Sequence, residues 1–137
     1  MTFAWSPDME TGCADIDNQH KQLLAMTSAL FEAWQVGRER QEMERTMDFL
    51  LEYVIKHFAD EEKLQEKYDY PEYLAHKQLH VDFQGVVQGL VAKISQDGFT
   101  YELLYEICNT IGEWVIGHVK GEDLRMITYI QSKTQTA

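Results

Sequence analysis

The chain is short of several things, and each shortage narrows what it does. Basic residues are scarce: among 137 residues, 12 Lys and Arg stand against 23 Asp and Glu, a net charge of −11. That balance argues against nucleic acid and against anionic membrane surfaces, because both are bound through basic footprints. No apolar run approaches the ~20 residues of a membrane span. The start, Met1-Thr2-Phe3-Ala4-Trp5, has neither the basic nor the apolar region of a signal peptide, so a cytoplasmic protein is expected. Two cysteines, Cys13 and Cys108, make neither a disulfide framework nor a Cys-x-x-Cys knuckle, and small buried hydrophobes are expected of them. Two prolines, Pro7 and Pro71, leave long stretches free to be helical.

What is present is helical periodicity. Met43, Met47, Leu50, Val54, His57, Glu61, Leu64 and Tyr68 recur in steps of three and four, as one helix face does. The same steps link Tyr73, His76, His80, Phe83, Val87, Leu90 and Ile94, and again Leu104, Ile107, Ile111, Trp114 and His118. An earlier stripe reads His20, Leu24, Thr27, Phe31 and Trp34, broadened by Leu23 and Leu30. Gly37-Arg38, Asp69-Tyr70-Pro71 and Ser95-Gln96-Asp97-Gly98 punctuate the stripes. The spacing predicts helices at about 17–37, 40–68, 71–96 and 100–119, with boundaries good to ~2–4 residues. Loops this short force antiparallel neighbours, so the expected fold is all-α, an up-down-up-down four-helix bundle. Residues 1–16 form an N-terminal arm, 120–137 a C-terminal segment with a short helix at about 122–131, and the whole of 1–137 one domain.

All five histidines, His20, His57, His76, His80 and His118, fall on inward stripes. A single one is easily a hydrogen-bonded core residue. An inward stripe covers ~3/7 of helix positions, so five falling inward by chance is on the order of 1–2%. In antiparallel helices they also gather at one end, within ~16 Å of helix length. Glu61 lies one turn after His57 on the same seam; unless it is a rim residue, its buried charge needs compensation. Asp123 would point about 140° off the seam in an unbroken helix. Gly117 and Gly121 allow the helix to end there and the chain to turn Asp123 inward.

Seven donors exceed one metal ion, since tetrahedral zinc takes four and an octahedral ion six. For two octahedral ions, five imidazoles, two bridging carboxylates and one bridging oxide or hydroxide fill all positions but one. The result is a two-metal site with room for one small ligand. Ferritin-like Glu-x-x-His pairs are absent, and His76-x-x-x-His80 lacks the glutamate of a zinc protease. A donor set rich in neutral imidazole should favour the reduced pair, and with it reversible binding over oxidative chemistry.

The runs Trp5…Gly12…Ile16-Asp17-Asn18-Gln19-His20, His57-Phe58-Ala59-Asp60-Glu61-Glu62, His76-x-x-x-His80 and Trp114-Val115-Ile116-Gly117-His118-x-x-x-x-Asp123 together resemble the hemerythrin family, from Trp5 to Asp123. The resemblance implies a non-haem protein with two oxo- or hydroxo-bridged iron ions that binds O2 reversibly, for storage or for delivery to oxygen-requiring enzymes. It implies that His76, His80 and His118 hold one iron and His20 and His57 the other, with Glu61 and Asp123 bridging. O2 would bind at the two-histidine iron, in a dry pocket walled by Phe58, Trp114, Val115 and Val119. Plain core packing accounts equally well for each of those four taken singly. Val115 and Val119 are smaller than the Leu and Ile common in the family, which implies a roomier pocket that admits larger ligands or oxidises faster. Gln65 stands where Met is frequent, and Leu124 and Met126 replace a frequent Lys and Tyr.

Every histidine is spoken for as a ligand, leaving none for proton transfer to a substrate, so a binding protein is expected rather than an enzyme. Its partners are O2 and other small diatomic or anionic ligands, and a monomer satisfies the sequence. The alternatives are a di-iron peroxide or nitric-oxide reductase on the same site, and an oxygen or redox sensor domain.

Overall fold

A computed structural model describes residues 3–134. Four long helices, α1 (Ala14–Gln35), α2 (Arg40–Lys67), α3 (Tyr73–Asp97) and α4 (Tyr101–His118), are followed by a π-helical turn (Val119–Asp123) and a last helix, α5 (Leu124–Thr134). A 3-10 turn (Pro7–Met9) precedes α1, and no strand occurs among the described residues. The expected spans of the four helices hold to within three residues.

Each connection between the four helices contains one residue in the left-handed region: Gly37 (φ 71°), Asp69 (φ 51°) and Gly98 (φ 82°). Glycine reaches that region without strain, which is why a helix can stop and reverse there. Thr100 caps α4 by accepting a hydrogen bond from the Leu103 N–H at 3.2 Å. The helices pack in ring order, α1 on α2, α2 on α3, α3 on α4 and α4 on α1. The seam between them is filled by the expected stripes, among them Leu24, Leu30, Leu50, Leu104, Ile107 and Ile111, all at most 1% exposed.

Several stripe ends differ from expectation. Trp34, Leu64, Tyr68, Tyr73 and Trp114 are half-buried, while Gln65 and Val115 take inward positions. The large rings among them lie across the edge of the seam instead of in it. Cys108 is fully buried, as expected, whereas Cys13 at the start of α1 is only half-buried. Burial pushes the Cys108 thiol up to about 12.

Both flanking segments are held against the bundle. The arm, 3–13 among the described residues, is pinned along α1 and α4. Phe3 donates its N–H to Ser28 Oγ at 2.9 Å, and its ring lies where a Cβ on Gly112 would sit. Thr11 donates from its hydroxyl (2.7 Å) and its N–H (3.0 Å) to Asp17. Lys120 in the π turn pairs with Asp8 at 3.0 Å. At the other terminus the expected short helix spans 11 residues, Leu124–Thr134. Its buried Met126, Ile127 and Ile130 join Ile16 and Tyr70 in a second apolar cluster that closes one end of the bundle.

Candidate metal centre

Helical periodicity carries most of the donors to one place. His57 and Glu61 are one turn apart on α2, His76 and His80 one turn apart on α3, His20 lies early in α1, and His118 ends α4. Because consecutive helices are antiparallel, these positions share one height. The structure brings all seven expected residues together between the main core and the second cluster. His20, Glu61, His76 and Asp123 are wholly buried, and the most exposed, His118, is 7% accessible.

Asp123 reaches the group by a route other than the expected break. Gly117 and Gly121 do not have positive φ, and the chain stays helical through both. Instead the turn Val119–Asp123 widens from i→i+4 to i→i+5 bonding. That extra residue brings position 123 back over position 118, onto the seam it would otherwise leave. Asp123 Oδ1 then lies 3.0 Å from His118 Nε2.

The donors fall into two sets that share both carboxylates. Glu61 Oε2 lies 3.0 Å from His57 Nε2 and 3.4 Å from His20 Nε2, and Asp123 Oδ2 lies 3.0 Å from His20 Nε2. On the other side, Glu61 Oε1 is 3.3 Å from His80 Nε2 and 3.4 Å from His76 Nε2, and Asp123 Oδ1 is 3.0 Å from His76 Nε2. Each carboxylate therefore gives one oxygen to a two-histidine set and the other to a three-histidine set, and both sets are compact enough to hold a cation.

The chemistry of the donors fits metal. His118 Nε2 sits 2.9 Å from His76 Nε2 and 3.2 Å from His80 Nε2, so three imidazole nitrogens converge on one point. Neighbouring donors on an octahedron with ~2.1 Å bonds stand ~3.0 Å apart, which matches these spacings. Glu61 Oε1 and both Asp123 oxygens have no hydrogen-bond donor assigned to them, although all are buried. Buried carboxylate oxygens in that condition are costly unless a cation offsets them.

Electrostatics point the same way. Burial favours neutral His20 and His76, yet Asp123 and Glu61 outweigh it and raise both to about 9. Burial opposes ionised Glu61, but His57, His20 and His76 hold its carboxyl well below the usual range. Burial and the nearby Glu61 charge also oppose ionised Asp123, and His118, His20 and His76 overcome them, bringing it down to about 2. His80 is lowered, by burial above all. Two anionic carboxylates are thus held inside the bundle, ready for positive charge.

Two of the four expected pocket residues lie against this group. Phe58 stacks on His80 at 3.8 Å and Trp114 on His118 at 4.1 Å. Val115 and Val119 are buried in the main core cluster. Two further residues, Phe83 and Gln19, escaped the sequence reading, and Gln65 was noted there only as standing where Met is frequent. Phe83 continues the aromatic wall by stacking on Trp114 at 4.0 Å; it was legible as core, with nothing to mark it as part of a wall. Gln19 accepts a hydrogen bond from His57 Nδ1 at 2.6 Å and donates to Asp60 at 2.9 Å, which fixes the ring so that Nε2 faces the carboxylates. Its place beside His20 was the available signal. Gln65, fully buried one turn past Glu61, donates to Met126 Sδ at 2.8 Å.

Among the described residues, no helix is long and apolar enough to cross a membrane. A family profile described as "Hemerythrin HHE cation binding domain" matches residues 11–130. The chain is similar to a bacteriohemerythrin of Pseudomonas paraeruginosa, 29% identical over 129 residues, covering 88% of this chain and 76% of the relative. It is similar to a bacteriohemerythrin of Methylococcus capsulatus, 29% identical over 107 residues, with 78% and 79% covered. A myohemerythrin of Theromyzon tessulatum is 24% identical over 123 residues, covering 90% of this chain and 89% of that one.

Proposed function

Because the chain belongs to the hemerythrin family, we propose that it is a cytoplasmic, single-domain protein that binds O2 reversibly at two iron ions, for storage or for delivery to oxygen-requiring enzymes. His20 and His57 would hold one ion and His76, His80 and His118 the other, with Glu61 and Asp123 offering one oxygen to each. The iron pair, when bound, supplies the two electrons that reversible O2 capture needs.

The rest is the work of this chain's own residues. Glu61 and Asp123 each present one oxygen to either histidine set. Gln19, accepting from Nδ1 of His57, keeps Nε2 of that imidazole directed at the centre. Phe58, Trp114, Val115 and Val119 exclude water from the ligand side, which keeps capture reversible. No imidazole is left over to act as a general acid or base, so the reading is of a binding protein.

The observation that carries this reading is the sharing of both carboxylates between a two-histidine and a three-histidine set. To test it, the iron-loaded protein is reduced without air, exposed to O2 and then degassed through several cycles. Two irons per chain and a visible charge-transfer band that appears and fades are expected. One metal per chain, or a single irreversible oxidation, would remove the carrier reading. A sensor function has one observation in its favour, the Lys120–Asp8 pair that joins the turn bearing Asp123 to the N-terminal arm.

A further inference from the structure

We infer that the outer face of α1 and α2, at the apolar end of the bundle, pairs two copies of this chain about a two-fold axis, with Phe49 as the anchor. Phe49, on α2, is 67% exposed, and Val36, just past α1, is 60% exposed. A single exposed apolar side chain is ordinary. Phe49, however, stands beside a groove of about 290 Å3 lined by Met26, Ala29, Arg45 and Thr46. A second hollow continues the same seam past Ala33 to Val36. Met26, Ala29, Ala33 and Val36 recur in steps of three and four along one side of α1, so small or flexible apolar side chains wall the seam. Thr46 gives its hydroxyl to the Glu42 carbonyl at 2.9 Å, which leaves the groove no unmet hydroxyl.

A knob and a hollow on one face make that face complementary to itself, as a two-fold interface requires: what each copy offers, the other receives. A cavity of ~150 Å3 already takes up benzene, so the groove has room for a phenyl ring. Aromatic, Met and Arg side chains are also those that interface centres favour.

Charge fixes the register. Arg38, Arg40 and Arg125 pair with carboxylates of their own chain. Arg45 and Glu52 are exposed, and among the described residues neither has an ion-pair partner. Arg45 lies four residues before Phe49 and Glu52 three after, which turns both to the same side of it, by about 40° and 60°. In an antiparallel pair of α2 helices related by a two-fold axis, equal flanks meet. Seating Phe49 over Thr46 of the second copy brings Arg45 level with the second copy's Leu50, two residues or ~3 Å of helix from its Glu52. The ion pair then forms twice, at the rim, with the apolar groove between. Two copies that each carry a charge of −11 need such compensation to approach. The face is ~20 Å on each side, about 400 Å2 per copy, at the low end of specific interfaces, so the dimer is reversible and depends on concentration.

Analytical ultracentrifugation of the iron-loaded chain, from micromolar to millimolar concentration, tests the pairing. A reversible monomer–dimer equilibrium is expected. Phe49→Ala should weaken it on the order of 100-fold or more, because each dimer loses the anchor twice. Arg45→Glu and Glu52→Arg should each weaken it about tenfold, and both changes in one chain should restore it. Circular dichroism checks that these surface variants fold; Ala29→Glu, which fills the groove, is read in the same way as Phe49→Ala. A monomer at every concentration overturns the proposal, even if the face captures some other protein. A dimer untouched by Phe49→Ala and Ala29→Glu, or charge reversals that do not rescue each other, overturns it as well. The pairing does not involve the metal centre, so it stands or falls apart from O2 binding.

Discussion

The two ends of the bundle share the same four helices and the same three-four spacing, yet one is filled with Leu30, Met47, Leu50, Leu90, Ile94 and Leu104 and the other with five imidazoles and two carboxylates. The contrast separates two jobs that periodicity alone does not distinguish. The apolar end is dense, dry and made of side chains whose burial drives folding. The polar end takes part in the same seam but gains its stability from charge that must be offset. A fold held by one end leaves the chemistry of the other free to be altered.

The largest expected effect comes from cutting the polar end where both donor sets meet. Glu61→Gln should abolish two-metal loading, measured by metal analysis, because structural metal binding is worth on the order of 10 kcal/mol and both sets use this carboxylate. The metal-free variant should keep the helical circular dichroism of the parent; its collapse would show that the ends are not separable. Leu50→Ala, fully buried at the apolar end, should cost ~2–5 kcal/mol in denaturant unfolding while two metals still bind. Gln19→Leu should lower metal affinity by ~10–100-fold, seen in competition with a chelator, with unfolding midpoints of the metal-free protein little changed.

A further way to sharpen the comparison is pH. His20 and His76 hold protons up to about 9, and a histidine must be neutral to ligate. Metal affinity should therefore go on rising between pH 7 and 9, by about tenfold per pH unit for each proton displaced, or 1.4 kcal/mol. Acid works in the opposite direction and releases the metal. A plateau above pH 7 in a metal titration would mean that the carboxylates do not hold those protons.

The apolar end was legible in the sequence almost residue by residue, because packing alone sets its period. The histidines were legible for the same reason: they occupy seam positions where His is otherwise uncommon. Asp123 could be suspected but not placed, since a π turn is decided by which hydrogen bonds the tertiary structure rewards and leaves no periodic trace. The position of Gln19 was visible, but its role depends on α1 and α2 lying side by side. Trp114 read as core because spacing does not reveal that a ring lies flat on a neighbour and leaves an edge in solvent. The C-terminal helix was legible as a helix, but not its docking, because its partners, Ile16 and Tyr70, lie in distant parts of the chain.

The five-residue π turn also sets the phase of everything after it. Asp123, Met126, Ile127 and Ile130 form one buried face, one residue out of step with the face of α4 that ends at His118. A single surplus residue thus serves as a clutch between two helices, engaging a carboxylate on one side and an apolar lid on the other. Deleting one residue from 119–122 would re-engage the helices in a common register and rotate both features away together. Asp123 and the docking of α5 stand or fall as one mechanical unit.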